Sequence, residues 1–260
     1  MSLLEVRGLD KHFGQVHAVN DVSFTLDAGE SLGIVGESGS GKTTTARIVA
    51  GLERADSGAV LVRDADRFVS RRGRAARLSR ARQIQMVFQD PFLSLDPRLT
   101  VAATLTEALR LHSREIDCGA RVAGLLRQVG LGEREGDARP RQLSGGQRQR
   151  VAIARALAVE PSILVLDEAV AALDVSVQAQ ILNLLADIRA ETGVGYLFIT
   201  HDLGVVRCVA DRVIVMRRGA VVERGAAEQL LTSPTHPYTQ LLLASLPRPS
   251  FVPPSGQLRD

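Results

Sequence analysis

A short apolar run, Ser31 to Val35, passes directly into Gly36-Glu37-Ser38-Gly39-Ser40-Gly41-Lys42-Thr43, and helical spacing follows over Thr44 to Leu52. No other feature of the 260 residues restricts the fold as tightly. A run apolar on both faces reads as a buried strand, and a glycine-rich turn from such a strand into a helix is how a parallel βα unit begins. The octapeptide fits the phosphate-loop pattern G-x-x-x-x-G-K-[ST] in the context that pattern requires. Lysine occurs only at Lys11 and Lys42, so this composition produces the match by chance about two times in a thousand. Glycines let successive backbone N–H groups converge on phosphate oxygens, and the helix start adds partial positive charge. Lys42 is then placed to reach terminal phosphates, and the Thr43 hydroxyl to meet Mg²⁺.

The rest of the chain builds a domain around that unit. Short β-rich runs at Leu3 to Val6, Val22 to Leu26 and Ala59 to Val62 lie among turn signals such as Asp27-Ala28-Gly29 and Asp56-Ser57-Gly58, predicting a small antiparallel layer. Apolar runs at Ile84 to Phe88, Ile163 to Leu166, Tyr196 to Ile199 and Val213 to Met216 repeat the buried-strand type. Helical stretches separate most of them, with Ile181, Leu184, Leu185 and Ile188 on one face. Buried strands alternating with amphipathic helices define an α/β domain with a mostly parallel sheet. Between Pro91 and Glu160 the pattern is helix and loop alone (Thr100 to His112, Arg121 to Val129, Ser144 to Val159), which predicts a helical insert. After Gly225 the chain reads as a helical, proline-rich tail.

Composition removes several classes. With 45% hydrophobic and 23% charged residues the chain is neither disordered nor fibrous. No apolar run approaches the roughly 18 residues of a membrane-spanning helix, and the charged start MSLLEVRGLDKHF does not read as a signal peptide, so a soluble, cytosolic chain is expected. Cys118 and Cys208 stand far apart without a CxxC pair, against a zinc site, an iron-sulfur cluster or a disulfide framework. Arginines at 67, 71, 72, 74, 77, 80 and 82 form the densest basic stretch. Without interleaved stacking aromatics this reads as a solvated surface, and no nucleic-acid binding is expected from it.

Two more segments carry chemistry. Ile163-Leu164-Val165-Leu166-Asp167-Glu168 is an apolar strand ending in two carboxylates, and the carboxyl ends of parallel strands face the crevice where α/β sheets bind ligands. Asp167 suits an Mg²⁺ ligand acting through water, and Glu168 suits a group that orients or deprotonates an attacking water. Leu143-Ser144-Gly145-Gly146-Gln147 opens a helix with Ser144 as N-cap, a second anion-seeking helix start in one chain.

GESGSGKT, Val87-Phe88-Gln89, LSGGQRQR, ILVLDE, Ala172-Leu173-Asp174 and ITHD, in this order from about residue 3 to residue 230, resemble the ATP-binding subunits of ABC transporters. The resemblance implies a P-loop NTPase (RecA-like) core with a mostly parallel sheet, an N-terminal antiparallel β layer and an inserted helical subdomain over about 91–160, within a nucleotide-binding domain of residues 1–230. It implies ATP and Mg²⁺ as ligands. Gly36, Glu37, Ser38, Gly39, Ser40, Gly41, Lys42, Thr43 and Thr44 would hold the nucleotide, and Phe13 would stack on adenine; as residues alone, a core phenylalanine is the other reading of Phe13. Thr43, Gln89 and Asp167 would hold the metal, Gln89 also sensing the membrane partner. Glu168 would be the catalytic carboxylate and His201 the contact to the γ-phosphate. Two subunits of this family pair head to tail, so Ser144, Gly145, Gly146 and Gln147 of one would complete the site of the other.

Phe88-Gln89-Asp90-Pro91-Phe92-Leu93-Ser94-Leu95-Asp96-Pro97-Arg98, Ala172-Leu173-Asp174-Val175-Ser176-Val177-Gln178-Ala179-Gln180 and the tail Ser233-Pro234-Thr235-His236-Pro237-Tyr238-Thr239 are similar to the dipeptide, oligopeptide and nickel importer branch. This similarity implies a C-terminal extension over 231–260 and an ATPase on the cytoplasmic face of the membrane. Its implied partners are two transmembrane permease subunits and a second ATP-binding subunit, with a solute-binding protein engaged indirectly. Phe92 to Leu111 is the expected docking segment. The branch's tail cysteines are absent, so no iron-sulfur cluster is expected. Ala169 stands where the family has proline and Ala171 where it has serine; both bear on coupling between paired sites, but neither removes an essential charge or ligand, so hydrolysis is expected. A soluble ABC-type ATPase acting on nucleic acid or ribosomes and a non-hydrolysing cassette in a heterodimer are the alternatives.

Overall fold

The computed structural model describes residues 2–68, 73–112 and 117–244. Arg71 and Arg72 of the basic stretch, and the tail prolines at 247, 249, 253 and 254, lie outside the described residues. Two long strands, β1 (Ser2–Phe13) and β2 (Val16–Asp27), are followed by β3 (Ser31–Val35), helix α1 (Lys42–Ala50), β4 (Ser57–Val62) and β5 (Ala65–Asp66). Then come α2 (Arg74–Gln83), β6 (Ile84–Val87), a 3₁₀ turn at Pro91–Ser94, α3 (Val101–His112), α4 (Cys118–Gln128), α5 (Glu133–Asp137) and α6 (Gly145–Leu157). The chain continues through β7 (Ile163–Asp167), α7 (Val175–Thr192), β8 (Gly195–Thr200), α8 (Leu203–Val209), β9 (Arg212–Arg217), β10 (Ala220–Ala226), α9 (Ala227–Thr232) and α10 (Pro237–Ala244).

One sheet has the order β10-β9-β3-β8-β7-β6, parallel except for the antiparallel β9–β10 pair. The other is the antiparallel layer β2-β1-β4-β5. Alternation along a strand explains how the large sheet is buried on both faces. In β7, Leu164 and Leu166 pack with helices α3, α4, α6 and α7, whereas Ile163 and Val165 point the other way, to α1 and the antiparallel layer. A third cluster lies under the C-terminal elements, where Val35, Val213 and Val215 meet Leu203, Leu230 and Tyr238. Among the described residues no strand lies between β6 and β7, as the helical reading of that stretch requires.

Three details depart from the sequence reading. Helix α7 buries Ile181, Leu182, Leu185 and Ile188, while Leu184 is only half-buried. Strand β10 was not legible as a strand, because it is half-exposed throughout and shows no clean apolar alternation. The arginine-rich stretch is not uniformly a solvated surface either. Arg67 is buried, donating to the carbonyl oxygens of Arg80 at 3.1 Å and Ala50 at 3.3 Å. Burial, with the Arg80 charge adding to it, pushes its guanidinium down to about 10. Arg82 donates to the Val159 carbonyl oxygen at 2.8 Å and pairs with Glu160.

Arg67 therefore ties the end of α1 to α2, and removing it leaves two carbonyl groups without their donor. Arg67→Ala is expected to destabilise the protein by about 2 kcal/mol, read as a lower midpoint in urea unfolding. An unchanged midpoint would show that these two bonds contribute nothing net.

Candidate active site

Register in a parallel sheet brings the chemistry together. Val35 pairs with Thr200, Asp167 with Ile199 and Val87 with Leu166, so the carboxyl ends of β3, β8, β7 and β6 open along one edge. From that edge emerge, in spatial order, the loop Gly36 to Gly41, His201, the pair Asp167 and Glu168, and Gln89. Ligands of open α/β sheets bind in this position.

The loop is shaped by what its backbone must avoid. Gly41 has φ 102°, and a Cβ there would sit 2.3 Å from the carbonyl oxygen of Ala18, so only glycine fits. It precedes α1 without a capping side chain, which leaves the first-turn N–H groups of Lys42, Thr43 and Thr44 free of intrahelical partners. Lys42 is buried, its ammonium donating to the carbonyl oxygens of Gly36 at 2.8 Å and Glu37 at 2.9 Å. Burial lowers its pKa from the ordinary lysine value, against the pull of Glu168, Asp167 and Glu37. Glu37, Ser38 and Gly39 are exposed, and nothing comes within 4 Å of the Gly39 Cβ position. Buried Ser40 accepts the Gly219 N–H at 3.0 Å through its carbonyl oxygen.

Thr43 Oγ1 donates to Asp167 Oδ1 at 3.1 Å, joining the loop to the end of β7. Burial raises the Asp167 carboxyl above the usual carboxylate range; the Thr43 hydrogen bond opposes this shift, and the Glu168 charge adds to it. Glu168 sits at φ 49°, in the left-handed region that costs a non-glycine residue about 1 kcal/mol or more. Its N–H donates to the Ile199 carbonyl oxygen at 2.9 Å, and its own carbonyl oxygen accepts the Ala171 N–H at 3.0 Å. Those bonds hold the side chain against His201, whose Nδ1 lies 3.2 Å from Glu168 Oε1. Gln89 lies just past β6 and is exposed; among the described residues its side chain makes no hydrogen bond to Thr43 or Asp167, which bond each other. Phe13, at the β1–β2 hairpin, is 48% exposed with Lys11 Nζ 5.0 Å from its ring centroid, which rules out the core reading of this residue.

Ser144 caps α6, accepting from Gln147 N at 3.2 Å, while Gln147 Oε1 accepts from Ser144 N at 2.9 Å. Among the described residues, no hydrogen bond or ion pair joins Ser144 or Gly146 to the loop at 36–44. Gly146 packs against α7, where a Cβ would lie 2.5 Å from Val177 Cγ1. The α6 start also reaches the 3₁₀ turn, since Arg148 lies over the Phe92 ring at 4.5 Å and donates to the Leu143 carbonyl oxygen. The Phe92–Arg148 and Arg67 contacts carry no local sequence signal.

Comparison with known proteins fits this geometry. The ABC transporter family pattern matches residues 19–171, and residues 222–257 match the C-terminal region of oligopeptide/dipeptide transporters. The chain belongs to the ABC transporter family, as an ATP-binding cassette carrying that C-terminal region. It is 45% identical to the oligopeptide transport ATP-binding protein OppF of Bacillus subtilis, over 95% of this chain and 83% of that protein. It is 49% identical to OppD of Mycobacterium tuberculosis, over 93% of this chain and 39% of that longer protein. The cassette MJ0796, solved as a dimer bound to ADP and Pi, superposes with a TM-score of 0.77 at 31% identity, over 86% of this chain and 98% of that one.

Val177 is β-branched on a helix and has little rotamer freedom to yield space. Gly146→Ala is therefore expected to destabilise the protein by about 1–3 kcal/mol, with Val177→Ala in the same chain relieving part of the cost. Thermal melts of the single and double variants read this coupling, and strictly additive effects would contradict it.

Proposed function

We propose that this chain is the ATP-hydrolysing subunit of a di- or oligopeptide importer, peripheral to the cytoplasmic face of the membrane and working in a dimer of cassettes. The observation that carries the reading is the meeting of Lys42, Thr43, Asp167, Glu168 and His201 at one sheet edge, in a chain whose C-terminal region matches the oligopeptide/dipeptide transporters. The residues present fit a nucleoside triphosphate. Bare first-turn amides, an open face at Gly39 and a lysine held only by loop carbonyls make a cradle for anions. Thr43, Asp167 and Gln89 are the oxygen donors that would hold Mg²⁺, which when bound supplies neutralising charge on the phosphate oxygens.

In this reading Lys42 exchanges loop carbonyls for terminal phosphate oxygens. Glu168, fixed by its two backbone bonds, orients the attacking water and takes its proton. His201, aligned by Glu168 through Nδ1, turns its other nitrogen toward the γ-phosphate. Phe13 supplies an exposed ring for the adenine. The Ser144 helix start makes no hydrogen bond to the loop of its own chain and acts on the partner's nucleotide, so turnover requires pairing. Closure of the pair and its reopening after hydrolysis would drive two transmembrane permease subunits. They dock on the segment Phe92 to Leu111, where Phe92 and Leu111 are exposed and Phe92 touches α6 through Arg148. A solute-binding protein joins only through those subunits. The Ala171 contact to Glu168 uses only its backbone N–H, which supports retained hydrolysis in place of the non-hydrolysing alternative. Arg67 and Arg82 make internal contacts, which removes support from a nucleic-acid partner. Among the described residues no helix is long and apolar enough to cross a membrane.

Glu168→Gln is expected to bind MgATP as tightly as the parent, to hydrolyse it about 100-fold or more slowly, and to run as an ATP-dependent dimer in gel filtration. In vesicles with the permease pair it abolishes ATP-driven uptake of labelled oligopeptides. Hydrolysis at the parental rate would remove Glu168 from its role, and no peptide uptake by the parent assembly would overturn the cargo class. Phe92→Ala is expected to leave nucleotide binding by the isolated chain unchanged while weakening co-purification with the permease pair. Undiminished co-purification would place the docking surface elsewhere.

A further inference from the structure

The tail motif Ser233-Pro234-Thr235-His236-Pro237-Tyr238-Thr239 marks the importer branch, yet none of its residues takes part in the chemistry above. In the fold each end of it is fastened. Glu223 Oε1 on β10 accepts from Thr235 N at 2.7 Å and from Thr235 Oγ1 at 2.8 Å. His236 Nδ1 accepts from Tyr238 N at 3.1 Å, and Gln240 Nε2 donates to the Pro234 carbonyl oxygen at 3.0 Å. These bonds set the start of α10 and drive Tyr238 into the cluster of Val35, Val213 and Val215, where it is 3% exposed. Arg217 lies over its ring at 4.7 Å. Its hydroxyl oxygen then accepts the backbone N–H of Glu37 at 3.1 Å.

That N–H belongs to the same planar peptide unit as the Gly36 carbonyl, which accepts from Lys42 Nζ at 2.8 Å. One rigid plane in the phosphate loop is thus held on one side by the tail hydroxyl and on the other by the loop lysine. The Glu37 carbonyl on the next plane accepts from Lys42 Nζ at 2.9 Å and from Ser40 N at 3.2 Å. When the lysine turns to a phosphate it loosens its hold on Gly36 and Glu37, and the Tyr238 hydroxyl remains as the anchor of the 36–37 plane.

We propose that Tyr238 is a positioning residue for the phosphate loop, coupling the docking of the C-terminal extension to occupancy of the nucleotide site. The inference rests on the reading of residues 36–44 as that site. Because coupling is reciprocal, the hydroxyl that favours nucleotide is matched by a nucleotide that favours the docked tail.

The test uses the full chain. Tyr238→Phe keeps the ring and its packing and deletes only the acceptor. It is expected to melt within a few degrees of the parent, to raise both the Kd for MgATP and the KM about 5-fold, and to leave kcat in the assembled transporter within about twofold. Tyr238→Ala, which also loses the packing, is expected to weaken nucleotide binding at least as much. Independently of any variant, hydrogen exchange of the parent's 237–244 amides is expected to slow when MgATP is added. A Tyr238→Phe protein with parental Kd and KM overturns the proposal, as does 237–244 exchange indifferent to nucleotide. If the parent itself binds no MgATP, the functional reading falls and the inference falls with it; if the parent binds and Tyr238→Phe binds equally, the inference alone falls.

Discussion

A row of parallel backbone hydrogen bonds underlies everything chemical in this chain. Strands β3, β8, β7 and β6 run the same way and in register, so four loops that lie far apart in sequence leave the sheet at one edge. Parallel pairing forces a crossover between neighbours, and the crossovers here are the helices that bury both sheet faces. The edge that carries Lys42, Asp167, Glu168 and His201 and the hydrophobic core are therefore consequences of the same ladder. Glu168 tolerates a left-handed backbone only because that ladder gives its N–H the Ile199 carbonyl as a partner.

Charge is divided by the chemistry of the cation. Lysine, a compact ammonium on a flexible stem, occurs twice, and Lys42, the first residue of α1, turns its ammonium back to the loop carbonyls of Gly36 and Glu37. Arginine, with a planar fork of donors, does the joining. Arg67 links α1 to α2, Arg148 links the α6 start to Phe92, and Arg212 holds Glu30 and the Thr25 carbonyl. The arginines that read in the sequence as solvated surface are thus partly internal scaffolding.

The two anion-seeking helix starts differ in how they are finished, and this bears on assembly. The α1 start has no cap and keeps its amides free, whereas the α6 start is closed by the reciprocal Ser144 and Gln147 bonds. Gly146 is pressed against Val177, which couples the α6 start to α7. Arg148 touches both the Phe92 ring and the Leu143 carbonyl oxygen beside Ser144, so a displacement of the Phe92 turn would reach the α6 start without a long relay.

The sequence by itself determined the buried strands β3, β7 and β8, the glycine loop, the carboxylate pair and the Ser144 cap. Each is a local pattern: an apolar run short enough to be a strand, a turn only glycine can make, a hydroxyl beside a helix start. Helix α2 has no buried residue and β10 no clean alternation, so neither produces a periodic signal. Tertiary structure alone decided that Arg67 is buried, that Leu182 is buried while Leu184 packs only partly buried at the edge of the same core, and that Tyr238 meets Glu37 from 201 positions away. Such contacts follow from where the sheet order and the tail place distant segments, and no spacing along the chain encodes a distance that exists only after it folds.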